Sequence, residues 1–289
     1  MTTRQTITAG VDGSPESLDA ARWAADEALR RGLPLHLVHA GGPPAKRTRP
    51  PDNDAPDNHV PAHRENNVLD RTVLHIAHTH PTLALLDEEV AGPPVEALLA
   101  AARSSALLVV GSRGSGALSR ALVGSVALAV AARASCPVAL VRASAGSGGP
   151  GPASAEGSDH PVVLGLDLDR AGDELLEYAF DAAASREAPL HVVHVWTAPL
   201  IPSADAIDPR PEKEHRLAAE LAPWRHKFPG TQVTGRLVHG LVGHHVVKAA
   251  RPAALLVIGR RVPAGPHLGR TTHAALHHAR CPVVVVPHY

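Results

Sequence analysis

Two short stretches of this chain carry residue types that can hold a phosphate. After an apolar run, Ala106 to Val110, comes Gly111-Ser-Arg-Gly114-Ser-Gly116, and after nine residues beyond Gly114 the pair Gly124-Ser125 opens a helical pattern. The glycines let backbone N–H groups approach phosphate oxygens. The free N–H groups of the helix that starts after Gly124 favour an anion, the Ser125 hydroxyl adds a donor, and Arg113 and Arg120 are placed to add charge. The second stretch, Gly10-Val-Asp12-Gly-Ser14, closes another apolar run. In an open parallel sheet ligands sit beyond the carboxyl ends of the strands at the switch point, and both stretches emerge there. Taken alone, Gly-x-x-Gly is an ordinary turn, and Asp12 before Gly-Ser-Pro can simply cap one. The full Gly-x2-Gly-x9-Gly-Ser spacing, after a strand and before a helix, is far more specific.

Other constellations are weaker. His273 and His277 stand four apart on a predicted last helix, with His278 and Cys281 nearby, but chelation needs a third convergent ligand and no His-Glu-x-x-His motif supplies one. No metal is assigned, and the 20 histidines read mainly as surface groups. His39 and His194, at matched strand ends, read as packing or hydrogen-bonding groups near the switch point rather than as an acid or base. Ser-His-Asp catalysis lacks its Gly-x-Ser-x-Gly elbow. No residue stands out as a base able to activate water, so no catalytic residue is assigned.

The elements that must position these residues occur twice. Ile7 to Asp12 recurs at Val163 to Asp167, and Leu35-His-Leu-Val-His39 recurs as Leu190-His-Val-Val-His194 with the same spacing from the aspartate. Ala106 to Gly111 recurs at Ala254 to Gly259, and Cys136-Pro-Val recurs as Cys281-Pro-Val. A duplication explains a length of 289 residues. The halves are placed at 1–142 and 161–289, with a Gly/Ser/Ala/Pro-rich linker at 143–160. In the first half strands are predicted at Thr6–Val11, Leu35–Ala40, Thr72–Ala77, Ala106–Val110 and Pro137–Val141, with a weaker one at Ala84–Glu89. Helices are predicted from Pro15, capped by Ser14, to Arg31 before Gly32, at Pro94–Arg103 and at Gly124–Ala134. The first helix shows an apolar stripe of Leu18, Ala21, Ala25 and Ala28. Uninterrupted apolar strands separated by helices make each half a doubly wound α/β domain with a parallel sheet.

Composition excludes several functions. Lys+Arg and Asp+Glu are 28 each, giving zero formal charge, and only 3 Trp, 2 Tyr and 2 Phe are present, so a nucleic-acid partner is not expected. Two cysteines are too few for a secreted disulfide framework and read as small buried apolar groups. The N-terminus lacks the apolar core of a signal peptide, and the longest uncharged apolar stretch, Ala121 to Ala132, is far short of the ~20 residues of a membrane span. A cytoplasmic protein with no membrane partner is expected.

With Gly10-Val-Asp12-Gly-Ser14 and the Gly111 to Ser125 loop, the chain resembles the universal stress protein family in its tandem two-domain form. The resemblance covers both halves except the linker and the stretch after Gly41. It implies Rossmann-like, adenine nucleotide-binding domains, with ATP as cofactor, with or without Mg2+. Asp12 and Ala40 would then meet the base region, and Gly111, Gly114, Ser115, Gly116, Gly124, Ser125 and Val126 the ribose and phosphates, framed by Gly10, Val11 and Val110. It also implies pairing of the last strands, here Pro137–Val141 with Val283–Val286, antiparallel within one chain. That places Cys136 and Cys281 at opposite ends of the joint, beyond disulfide reach. The second half departs from the pattern: Leu168 and Asp169 replace Gly13 and Ser14, Val262 stands where the second loop glycine belongs, the loop is three residues shorter, and Gly269-Arg270 lacks the serine. One ATP per chain is therefore expected, in the first half, although Arg260, Arg261 and Arg270 could bind another anion. The implied role is a stress-response sensor or signalling module with a signalling-protein partner. A slow ATPase or nucleotide-transfer enzyme, a nucleotide-free scaffold and a homodimer remain open.

Overall fold

The computed structural model describes residues 6–41, 68–112, 123–142, 160–197 and 208–289. The first half runs β1 (Thr6–Val11), α1 (Pro15–Arg31), β2 (Leu35–Gly41), α2 (Val68–Thr79), β3 (Leu85–Ala91), α3 (Pro94–Ala101), β4 (Ser105–Gly111), α4 (Ser125–Arg133) and β5 (Val138–Val141). The second repeats it with β6 (Val162–Gly165), α5 (Asp173–Ala184), β7 (Leu190–Trp196), α6 (Arg210–Lys227), β8 (Val233–His239), α7 (Val242–Ala249), β9 (Leu255–Arg261), α8 (Arg270–His278) and β10 (Val283–His288). All ten strands form one sheet in the order β3-β2-β1-β4-β5-β10-β9-β6-β7-β8. Every neighbouring pair is parallel except β5 with β10, which are antiparallel through Val283–Leu140, Val284–Ala139 and Val285–Val138.

Local chemistry explains the elements. Ser14 caps α1 by accepting from Ser17 N, Pro15 starts the helix, and Gly32 ends it at φ +62°, a left-handed cap that suits glycine. The buried face of α1 is broader than the predicted stripe: Ala20, Ala21, Ala24, Ala25 and Ala28 are all fully buried, and Leu18 is only half-buried. Small side chains let this helix lie close on the sheet, which is how a core with few aromatics is packed. One prediction is corrected: Thr72 to Ala77 is not a strand but lies within α2. Leu69, Thr72 and Ile76 are its buried residues, a three-and-four spacing that a six-residue apolar window cannot distinguish from a strand. The weaker strand prediction holds instead, as the edge strand β3.

The joint between the halves is core. Two apolar clusters, one on each face of the sheet, each contain strand and helix residues from both halves. Continuing the β5–β10 register sets Cys136 opposite Pro287, six residues beyond Cys281; both cysteines are free and buried. Burial pushes the Cys281 thiol up to about 12, so it stays an unreactive thiol. Two arginines staple the joint by capping helix carboxyl ends across it. Arg142 donates to the Leu276 carbonyl at 2.6 Å, and Arg260 donates to the Ala134 carbonyl.

On the opposite face, Glu27 of α1 is fully buried and accepts from three guanidiniums: Arg30 at 3.2 Å, Arg31 at 2.6 Å and Arg186 of the second half. Arg31 also reaches Asp181 of α5 at 2.5 Å. The contacts are reciprocal: Arg31 lies over the Tyr178 ring at 5.2 Å and Arg186 over the Trp23 ring at 5.9 Å. Burial acts to raise the Glu27 pKa, but Arg186, Arg31 and Arg30 outweigh it and hold the carboxyl below its usual range.

A depressed folded pKa contributes stability that is present above the unfolded pKa and lost as pH falls through the folded one. Glu27→Ala should therefore cost about 3–5 kcal/mol in urea unfolding at neutral pH, because three guanidiniums lose their shared carboxylate. The deficit should shrink as the pH is lowered into the acid range. A deficit independent of pH would show that packing, and not charge, is what Glu27 supplies.

Candidate functional site

In the first half the strand order reverses between β1 and β4, so the switch point lies where their carboxyl ends part. Val11 pairs with His39 of β2, and the β1–β4 register, continued two residues past Ala9–Val109, brings Val11 level with Gly111. Ala40, half-buried, follows His39 at the same edge. Thus Gly10, Val11, Asp12, Ala40, Val110 and Gly111 gather at the carboxyl ends of neighbouring strands.

The Asp12 turn is tightly tied. Asp12 Oδ1 accepts from Ser14 N at 3.0 Å and from Ser14 Oγ at 2.5 Å, while Asp12 N donates to Ser17 Oγ at 3.3 Å. The capping role is therefore realised, and the carboxylate remains exposed at the strand end. Gly13 takes φ +84°, and a Cβ there would lie 3.0 Å from the Val68 side chain. Gly10 serves packing: a Cβ would lie 2.9 Å from Leu98 of α3, which fills the space. His39 donates from Nδ1 to the Val11 carbonyl at 2.7 Å, and His194 makes the same bond to Leu166 O at 3.0 Å, so both histidines tie the first two strands of their half together.

The glycine loop leaves at Ser112 and returns at Val123. Ser112 N donates to Val141 O of β5 at 2.7 Å, and Gly124 N donates to Ser112 O at 2.8 Å, which pins the two stems together. Gly114, Ser115 and Gly116 lie outside the described residues. Gly124 is the extended N-cap of α4, with no side-chain cap and no acid in the first turn, so the N–H groups of Ser125, Val126 and Ala127 lack partners within the helix. Ser125 is exposed and Val126 half-buried. Ser112, which sequence reading passed over, is 2 % exposed, and its hydroxyl finds no partner among the described residues.

The second half builds its corresponding edge differently. Asp167 accepts from Asp169 N at 3.1 Å and opens a single 3-10 turn, Leu168–Arg170, whose Leu168 is buried. Arg216 of α6 holds that turn through Leu168 O and Asp169 Oδ1, both at 2.9 Å. β9 runs two residues past Gly259 because β10 continues beside it, pairing Pro287 with Arg260 and His288 with Arg261. The His288 ring is wedged against both neighbouring glycines: a Cβ would lie 2.4 Å from its Nε2 at Gly259 and 2.6 Å from its Nδ1 at Gly172. Burial holds His288 below the usual histidine range, and Arg261 and Arg260 push the same way. One of the three arginines weighed as substitute phosphate ligands is engaged elsewhere. Arg260 caps α4, and Arg270 lines a groove between α7 and α8.

His273 and His277 stack at 4.4 Å between ring centroids. Among the described residues no group of three His, Cys, Asp or Glu is set to hold a metal, and no helix is long and apolar enough to cross a membrane.

The chain matches the Universal stress protein family twice, over residues 3–142 and 160–287. It is 32% identical over 289 residues to a universal stress protein of Mycobacterium tuberculosis, covering 96% of each chain. Its fold is similar to that of a universal stress protein from Archaeoglobus fulgidus at a TM-score of 0.64 and 17% identity, covering 98% of both chains. A universal stress protein solved in complex with cAMP aligns with 48% of this chain and 98% of its own, at 28% identity and a TM-score of 0.37.

The Asp12 turn is testable apart from any ligand. Gly13→Val should destabilise the protein by about 2 kcal/mol or more, since left-handed strain and the Val68 contact add. Gly32→Ala, at a similar φ with nothing within 4 Å of the new Cβ, should cost about 1 kcal/mol. Equal losses in thermal unfolding would show that Val68 moves aside and the turn is not tightly packed.

Proposed function

The chain belongs to the universal stress protein family, and on that premise we propose that its first half binds one ATP while its second half binds none. The observation that carries this reading is the bond between Gly124 and Ser112, which pins the two stems of the first half's loop together at the uncapped amino terminus of α4. A triphosphate leaving water needs several well-aimed donors, and that helix start presents three N–H groups with the Ser125 hydroxyl. Gly114, Ser115 and Gly116 are assigned to the ribose and phosphates on their spacing, and Asp12 and Ala40 to the base region.

The second half keeps an aspartate at the matching strand end but lacks the rest. The β9–β10 ladder continues past Gly259 with the His288 ring against that glycine, and Arg260 is committed to the joint. Nucleotide occupancy of the first half, read by a protein partner, is the signal we assign to this molecule in a reducing cytoplasm. The residues 1–142 and 161–289 then act as unequal modules joined through 143–160.

Titration of nucleotide-free protein with ATP by calorimetry should give a stoichiometry near one. Asp12→Ala combined with Gly114→Val should abolish the heat, and Asp167→Ala should leave it unchanged. A stoichiometry near two, or loss on changing Asp167 alone, would move the site to the second half or divide it between them. Mass spectrometry of nucleotide released from the purified protein identifies the occupant as ATP, ADP or AMP.

A further inference from the structure

The groove between α7 and α8 is a second candidate site, and it does not use the nucleotide machinery. It encloses about 650 Å3 and is lined by the exposed cations Lys248, Arg251 and Arg270, with His244 and His278 beside them. Its lining contains no aspartate or glutamate, and among the described residues none of the three cations has a carboxylate within ion-pair distance. In a chain of zero net charge, such a concentration of one sign is a local departure.

The floor is apolar and closely built. Gly243 in the first turn of α7 lies against Ala274 of α8, where a Cβ would be 3.0 Å from the alanine methyl, so the helices approach with small residues and leave a shallow channel above. At the amino end of α7, Leu241 is 75% exposed, an uncovered leucine at the mouth of a charged groove. Arg270 stands in the first turn of α8, while Lys248 and Arg251 stand at the far end of α7. A helix of eight residues is about 12 Å long, so these cations are spread along the groove, as an extended anion requires.

The matching surface of the first half shares only part of this character. Aligned on the repeated Gly111/Gly259 and Cys136/Cys281, Ser125 stands where Arg270 does, Ala100 where Lys248 does and Glu96 where His244 does, while Arg103 matches Arg251 and Arg133 matches His278. Two of the three cations, Lys248 and Arg270, are therefore particular to the second half, which also lacks the Glu96 carboxylate.

We propose that this groove docks an acidic segment of a partner protein, extended along α7 and α8, with carboxylates on Lys248, Arg251 and Arg270 and one apolar side chain against Leu241. Charge complementarity supplies the encounter and the leucine contact the register.

The probe is a fluorescein-labelled oligo-glutamate peptide with one central leucine, read by fluorescence anisotropy on the full chain at low salt. Lys248→Glu with Arg251→Glu should weaken binding about 10-fold or more, and Lys248→Arg should leave it intact. Leu241→Ser should weaken the leucine-containing peptide and leave plain oligo-glutamate unchanged. Arg170→Glu, a charge reversal outside the groove, should have no effect, and ATP titration should be the same for all variants. Absence of peptide binding by the unaltered protein overturns the proposal, as does equal binding by the Lys248/Arg251 double variant. Inorganic polyphosphate binding as tightly and with the same dependence on Lys248 and Arg251 would make the groove a small-polyanion site and equally overturn it.

Discussion

The pairing of β5 with β10 is the constraint on which the rest of the molecule rests. Val138–Val141 is four buried apolar residues with no charge to guard an open edge, and the first four residues of β10 are equally buried valines. Once the two strands cover each other, both apolar clusters run through the joint, and a fully buried carboxylate at Glu27 becomes tolerable because Arg186 arrives from the other half. The dependence reaches the ligand site. The stem of the glycine loop hangs from the Val141 carbonyl, so the first half holds its loop on a strand that the second half holds in place.

Much of this was legible in the amino-acid sequence because it is written locally or by repetition. The strand-end aspartates, the histidines that follow them and the paired Cys-Pro-Val runs place both halves, and Ser14, Pro15, Arg31 and Gly32 delimit α1 by capping chemistry alone. What escaped lies in contacts between distant residues. The buried helical period of α2 emerges only once Leu69 is counted with Thr72 and Ile76, outside a six-residue window. Nothing near His288 in sequence announces that its ring abuts Gly259 and Gly172, and Arg260 looks like a free cation until Ala134 is placed beside it. One signal was available: a glycine kept in β9 after the phosphate pattern had decayed around it implies that something other than phosphate needs the space.

The two halves show how a duplicated scaffold diverges without changing its framework. Strand order and the histidine bond to the first strand are common to both. The differences fall at the strand ends and on the outer helices, where substitution costs little stability. One half pins the two stems of its loop together; the other continues its strands, packs His288 against Gly259 and carries Lys248 and Arg270 on α7 and α8.

Because the strand that covers β5 lies in the same polypeptide, the cover is insensitive to dilution. A single-domain protein that hid such an edge by associating would lose it as the concentration fell below the dissociation constant. Here the second half is presented at an effective concentration on the order of millimolar, set by the connecting segment and not by abundance. A few copies per cell would therefore carry a fully formed loop stem. The same tether disfavours exchange of halves between molecules until the protein concentration approaches that local value, so at low abundance a change of state enters through a ligand or an outer surface.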